Sequence, residues 1–298
     1  MVTEGGPERE EIVVSDEVRE QPFICVTCGM QYPPSATPPD GCPCCLDDRQ
    51  YVHFERGQQW TTLEQLRGNH HNKFVPIEPG VTAIATEPQL GIGQQAYLIE
   101  TPAGNYLWDL VAYVDETTIA EIQRRGGVTG IGISHPHYYT TLVEWSRLLG
   151  GVPVHLHESD REWVQRPDDA VRFWSGDTLE VGAGMTLVRI GGHFLGGTVL
   201  HWDNSGVAEA DRAGVLFSGD IVSVVADRSW VTFMYSYPNQ IPLDADSVRR
   251  MARMLSGYRY ERLRDAFDRH VVSDAFASVQ RSAERYVAHV EGKAGPTI

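Results

Sequence analysis

A chain of 298 residues that is 42% hydrophobic, 9% aromatic and 22% charged has the composition of an ordinary globular protein, with room for one large core and a small appended module. Its formal net charge of −15, from 25 Lys+Arg against 40 Asp+Glu, would repel a phosphate backbone and argues against nucleic acid as a partner. No window is long and apolar enough for a membrane span, and the opening residues lack the basic start and apolar stretch of a signal peptide, so a cytoplasmic location without membrane contact is expected.

Residues 1–20 are rich in Glu and read as a flexible acidic tail, with "EIVV" as a candidate short edge strand. Residues 21–56 are rich in Pro, Gly and Cys; they are too few and too polar to bury a core and need a staple. Residues 57–76 read as a linker with one or two helical turns. From residue 77 to 298 the texture is that of a larger domain. "VTAIATE", "QAYLIET" and "NYLWDL" have the branched and aromatic character of strands, with "TPAGN" as a hairpin turn. "DETTIAEIQRRGG" has an Asp start, apolar helical spacing and a Gly stop. A strand ("VTGIGIS"), a helix ("TTLVEWSRLLGG"), a strand ("VPVHLH") and a short helix ("ESDREWVQ") follow. Strands are then expected at "DTLEV", "MTLVRI", "TVLHW" and "GVLFSG", and helices at "DADSVRRMARMLSG" and "SDAFASVQRSAERYVAHVEG". Two groups of strands interleaved with helices predict an α/β (α+β) fold of two packed sheets with helices outside.

All five cysteines fall between positions 25 and 45. Cys25 and Cys28 form one C-x-x-C and Cys42 and Cys45 a second, a spacing that directs four thiolates at one tetrahedral ion. Cys44 is left over as a bystander thiol. The pattern "CVTCG…CPCC" resembles rubredoxin-like and zinc-ribbon modules, over about thirty residues. A structural Zn2+ is the first reading of this site, a redox-active Fe the second, and a disulfide pair the third.

A second group of ligand-type residues stands at strand ends. "GIGISHPH" delivers His135 and His137 two residues apart, so both side chains can reach one ion. His193 in "RIGGHFLGG" and Asp220 in "VLFSGD" each follow a strand. His155 and His157 alternate in the same way but lack a matching partner; His70, His71 and His201 read as solvated or packed. Trp163, Trp174, Trp230, Phe233, Tyr235 and Tyr237 are candidates for a pocket wall or for plain packing.

Taken in order, the hairpin "QQAYLIETPAGNYLWDL", "SHPH", "GGHFLGG" and "FSGD" resemble the metallo-β-lactamase superfamily, over roughly residues 77–298. The resemblance implies a four-layer αββα sandwich with a metal site at one edge, held by His135, His137 and His193. It also implies Asp220 as the ligand that normally bridges two metals. The superfamily motif is H-x-H-x-D-H, whereas "HPHYYT" has Tyr139 and Thr140 where the Asp and His of a second metal site should be. A mononuclear or incomplete dinuclear centre is therefore expected, with Asp220 closing it. His270, at a plausible distance before the last helix, is a candidate for the remaining ligand.

A divalent metal, Zn2+ or another, held by neutral imidazoles would acidify water toward a pKa of ~7 and make hydroxide available at neutral pH. The expected reaction is hydrolysis of an ester, thioester, lactone or amide bond in a small-molecule substrate. Asp220 would orient the water, and Tyr139 would donate a hydrogen bond to the developing oxyanion. Two other classes stand beside this one: a scaffold of the same fold that has lost catalysis, motivated by Tyr139 and Thr140, and an iron-dependent oxidoreductase. The ribbon is expected to dock on the main domain or to mediate self-association into a homo-oligomer.

Overall fold

The structure, a computed structural model, describes Met1 and residues 20–204 and 214–295. Residues 2–19 of the acidic tail, with "EIVV", therefore lie outside the described residues.

The ribbon contains β1 (Gln21–Cys25), β2 (Gln31–Ser35), the short helix α1 (Pro43–Leu46) and β3 (Trp60–Thr61), with strand order β2-β1-β3. The turn between β1 and β2 is closed by Gly29 N–H to the Cys25 carbonyl, and Gly29 has φ 82. A Cβ there would meet Ala112 Cβ at 2.7 Å, so the knuckle lies directly on the main domain. Trp60–Thr61 pairs with β1, which extends the ribbon beyond its expected end at residue 56.

After the helical turn α2 (Leu63–Leu66), the chain enters a seven-stranded sheet. Its members are β4 (His71–Glu78), β5 (Val81–Glu87), β6 (Ala96–Ile99), β7 (Tyr106–Trp108), β8 (Ile131–Gly132), β9 (Val154–His157) and β10 (Val171–Trp174), in the order β10-β9-β8-β7-β6-β5-β4. β4 to β7 are antiparallel neighbours and β7 to β10 are parallel. Of the three parallel crossovers, the one from β7 to β8 runs through α3 (Glu116–Arg124) and the one from β8 to β9 through α4 (Leu142–Leu148). Asp115 caps α3 by accepting from Thr118 N at 2.8 Å, a contact worth about 1 kcal/mol. The segment expected as a linker thus supplies the edge strand β4. Its polar texture hid this, because an edge strand exposes one side to water.

The second sheet begins with β11 (Thr178–Gly182), β12 (Met185–Arg189), β13 (Thr198–Trp202) and β14 (Val215–Gly219). Two small hairpins follow, β15 (Ser223–Val224) with β16 (Val231–Thr232) and β17 (Met234–Ser236) with β18 (Ile241–Pro242). The chain then forms α5 (Ala245–Leu255), β19 (Arg262–Asp265), β20 (His270–Val271) and α6 (Ala275–Val290). The sheet order is β11-β12-β13-β14-β19-β20. β19 carries the charged sequence "RLRD", and Arg262 and Arg264 are bound to Glu78 of the first sheet at 3.0 and 2.8 Å. These ion pairs tie one sheet to the other and explain why a segment this charged is not expected as a strand from its sequence.

Tyr97, Tyr106 and Trp108 of the first sheet pack against Leu187, Leu200, Trp202 and Phe217 of the second. Helices α5 and α6 cover the outer face of the second sheet. α3, α4 and the ribbon share one core on the outer face of the first, in which Cys25, Cys28, Cys42 and Cys45 are contiguous with Tyr138, Tyr139 and Leu142. The layers are αββα with a ribbon on one flank. Among the described residues no helix is long and apolar enough to cross a membrane.

Because the ribbon's thiols are built into this shared core, removing its metal should loosen the main domain as well. Cys25→Ser/Cys28→Ser is expected to lower the thermal midpoint by at least about 5 °C, which for a chain of this size corresponds to ~1–3 kcal/mol. An unchanged midpoint in a calorimetric scan would show that the ribbon is dispensable for the fold.

Candidate metal centres

In the ribbon, Cys25, Cys28, Cys42 and Cys45 present sulfurs that all lie within 4.8 Å of one another, and all four are buried. The Cys25–Cys45 and Cys28–Cys42 sulfur pairs are 3.6 Å apart. That is too long for a disulfide and close to the roughly 3.8 Å between two thiolates that sit ~2.3 Å from a tetrahedral ion. Gln58 Nε2 donates to Cys25 Sγ at 3.1 Å, as a thiolate would invite. Mutual hydrogen bonding drives the Cys42 thiol strongly toward the thiolate, while its neighbour Cys28 is pushed up. Cys44 is buried but outside the group of four.

The histidine centre is assembled from three strand ends. β8 ends at Gly132, and Ser134 and His135 lead into a single 3-10 turn, Pro136–Tyr138. Asp109, just after β7, accepts from Ser134 N at 2.7 Å, and Thr198 N donates to the Ser134 carbonyl at 2.9 Å. The Ser134 hydroxyl lies 2.9 Å from His135 Nδ1, which leaves Nε2 facing inward. Gly219, at φ 58, makes room for that hydroxyl, since a Cβ there would sit 2.7 Å from it. The loop carrying His193 folds back on itself, with Ile190 N and Gly191 N both donating to the Gly197 carbonyl at 2.9 and 2.8 Å. Asp160 fastens it from outside by accepting from Gly196 N at 2.8 Å.

His135, His137 and His193 are 1–3% exposed and form a group whose ligand atoms lie within 4.8 Å. His137 Nδ1 and His193 Nε2 face each other at 3.1 Å, near the roughly 3.3 Å expected for two nitrogens ~2.0–2.1 Å from one tetrahedral ion. Asp220 Oδ1 lies 3.2 Å from His135 Nε2. Neither that oxygen nor His135 Nε2 has a hydrogen-bond partner, and His137 Nε2 and His193 Nδ1 are likewise unpartnered. Burial pushes all three imidazoles down, His193 to about 4, and pushes the Asp220 carboxyl up to about 7. Neutral imidazoles beside a carboxylate that burial discourages from ionising form a set that a cation would stabilise, so the residues fit a metal.

Tyr139 was expected beside this centre and is not there. It is buried with Thr140 toward the ribbon, lining a narrow gap with Met30, Gln31 and Arg166. Thr140 has φ 37, a conformation that costs a β-branched residue about 1–3 kcal/mol, and its carbonyl accepts from Gln31 N at 3.2 Å. Tyr138 faces the centre instead, with its ring 4.3 Å from that of His135 and its phenol toward Asp220. The 3-10 turn rotates the chain away from strand alternation, which is why counting along "HPHYYT" selects the wrong tyrosine. His270 also lies elsewhere: it is paired with Asp268 at 3.3 Å and is outside the histidine group. His155 bonds Tyr106, His157 the Gly176 carbonyl and His201 the Arg259 carbonyl. Trp174 packs on His157, Phe233 is core, and Trp230 stacks under Arg285.

A pocket of about 160 Å³ opens onto His137, His193 and Asp220. Part of its wall comes from the ribbon through Thr27, Arg49, Gln50 and Tyr51; Tyr237 and Phe267 complete the far side. Asn239 Nδ2 donates to the Asp48 and Gln50 carbonyls at 2.8 and 3.1 Å, and Ser236 Oγ to the Arg49 carbonyl at 3.2 Å. Asp109, Ser134, Tyr138 and Arg49 escape a reading of the sequence. Only Asp109 left a local signal, as a polar residue directly after an apolar strand.

No family model matches the chain. A relative in Bacillus subtilis (strain 168), the uncharacterized protein YmaE, is 47% identical over 267 residues, which is 89% of this chain and 95% of the relative. Among solved structures, the DIM-1 metallo-beta-lactamase exposed to ceftazidime superposes with a TM-score of 0.54 at 14% identity, over 72% of this chain and 97% of its own. A metallo-beta-lactamase from Pontibacter korlensis gives 0.53 at 14% identity, over 72% and 99%.

Ser134 orients the His135 ring, so Ser134→Ala should weaken metal binding at the histidine centre about 10- to 100-fold while the thiolate site stays filled. Chelator competition on the purified variant measures this, and an affinity equal to wild type would remove Ser134 from the account.

Proposed function

The chain belongs to the family of the B. subtilis protein YmaE and has the metallo-β-lactamase fold, and from that premise we propose that it is a metal-dependent hydrolase with a single metal in its core. One observation carries the reading: four buried ligand-type atoms, His135 Nε2, His137 Nδ1, His193 Nε2 and Asp220 Oδ1, converge beside a pocket onto which His137, His193 and Asp220 open. Zn2+ or a similar divalent ion bound there supplies Lewis acidity, which brings the pKa of water toward ~7 and polarises a carbonyl.

The chain's own residues supply the rest. Asp220 Oδ1 faces the centre with no aligned donor and orients the attacking water. Tyr237 donates to the Asp220 carbonyl at 2.9 Å and holds that residue at the pocket floor. The Tyr138 phenol lies beside the Asp220 carboxyl, and Phe194 packs against the rings of His135, His137 and His193, keeping bulk water from their outer faces. The substrate is a small molecule with an ester, thioester, lactone or amide bond, sized to a pocket of about 160 Å³. Buried free thiols are consistent with a reducing, cytoplasmic setting.

Tyr139 and Thr140 support one metal rather than two, since both positions expected to serve a second ion are packed against the ribbon. The same observation favours, as a second reading, a non-catalytic scaffold. A panel of esters, thioesters, lactones and amides, assayed with and without added Zn2+, separates the two. Metal-dependent turnover should appear on at least one class, and His135→Ala and His193→Ala should each lower it by more than the ~100-fold typical of losing an outer partner of a ligand. Turnover that survives both substitutions would refute the hydrolase reading, and silence across the panel would favour the scaffold.

A further inference from the structure

Arg49 is the side chain by which the ribbon reaches the histidine centre. It lies four residues after Cys45, and Asp47 grips it in a fork, Oδ1 to Nε at 2.5 Å and Oδ2 to Nη2 at 2.9 Å. The fixed guanidinium lies 4.0 Å from the Phe194 ring centroid and 5.0 Å from that of Trp163, and its Nη1 donates to the His193 carbonyl at 3.4 Å. Phe194 in turn touches all three ligand rings, at centroid distances of 4.9–5.5 Å. A continuous run of contacts thus leads from the thiolate site, through Asp47 and Arg49, to the loop that carries His193.

We propose that Arg49 is a positioning residue that couples the two metal centres, so that filling the Cys25/Cys28/Cys42/Cys45 site raises the affinity of the His135/His137/His193 site for its cation. The proposal rests on the histidine cluster being a cation site, and not on the reaction catalysed there. Without its metal, α1 loses its tie through Cys42 and Cys45 to Cys25 and Cys28, and the Asp47–Arg49 fork that follows it is left to the main-domain contacts of Ser236 and Asn239 with its backbone. The His193 loop then loses the stacked cation that lies against Phe194. A positive side chain beside a metal site would repel the metal, but the Asp47 carboxylate neutralises Arg49, so that its effect is to place the loop. Arg is required for this: Lys can neither match the Asp47 fork nor stack flat on Phe194. Linkage makes the effect reciprocal, and a metal in the core must tighten the ribbon site by the same factor.

The test uses the full chain and Co2+ as probe. Sulfur-to-cobalt charge-transfer absorption reports the ribbon and the weaker d–d bands report the histidine centre. Core affinity is measured by chelator competition in wild type, Arg49→Ala, Arg49→Lys and Arg166→Gln. The last breaks a different ribbon contact, from Arg166 to Gln31, well apart in sequence from the His193 loop. With the thiolate band unchanged, Arg49→Ala should weaken the core site about threefold or more, within the range by which single mutations modulate coupling, while Arg166→Gln stays below that. Should Arg49→Ala lose its thiolate band, Arg49→Lys carries the same threshold. A loss of less than about threefold at Arg49, or an equal loss at Arg166, would overturn the coupling. A protein inactive on every substrate leaves this test intact, whereas a wild-type histidine cluster that takes up no cobalt would overturn both readings.

Discussion

Three imidazoles and a carboxylate buried side by side with unpartnered polar atoms are the constraint on which the rest of this structure turns. Each such atom costs about 1–3 kcal/mol if nothing satisfies it. The fold nevertheless brings the four side chains together at the tips of strands from both sheets, with His137 Nδ1 facing His193 Nε2 and His135 Nε2 facing Asp220 Oδ1. The surrounding devices follow from that demand. Asp109 and Ser134 set the angle of the first ring, the glycines at 191, 192, 196 and 197 let the backbone carrying His193 turn tightly, and Gly219 clears space for a hydroxyl. Such support is what a metal centre needs and what ordinary core packing does not.

The ribbon is drawn into the same centre. Its small sheet cannot fold on burial alone, so the thiolate site supplies the missing stability. Once folded, it contributes to both the back of the histidine segment and the wall of the pocket. Gly29 abuts Ala112, Gln31 holds the strained Thr140, and Arg49 lies on Phe194. Positions 139 and 140, which the resemblance assigns to a second metal, have become a docking surface. The ribbon also supplies the pocket with part of its wall, through Thr27, Arg49, Gln50 and Tyr51.

How much of this is legible in the sequence depends on whether a feature is local. "SHPH", "GGHFLGG" and "FSGD" announce ligands because a strand followed by a ligand-type residue is a short-range pattern, and the two C-x-x-C pairs announce themselves by spacing. Helices α3 and α5 are readable from their caps, Asp115 and Asp244, whose side chains accept from Thr118 N and Ser247 N. Features set by tertiary contact were not readable. Arg49 stands in a charged stretch, "DDR", that resembles any solvated turn. β4 is a polar edge strand beside β5, and β19 is a charged strand whose parallel partner β14 is far away in the chain. Tyr138 and Tyr139 are adjacent, and only the 3-10 turn decides which of them faces Asp220.

Four sulfurs are expected to hold one ion and three histidines another. Crystals of the wild-type protein, measured on either side of the zinc absorption edge, test it most directly. Two anomalous peaks per chain are predicted, one between Cys25, Cys28, Cys42 and Cys45 and one between His135, His137 and His193 with Asp220 in contact. A third peak beside Asp220, or a histidine cluster that stays empty with zinc in excess, would contradict it.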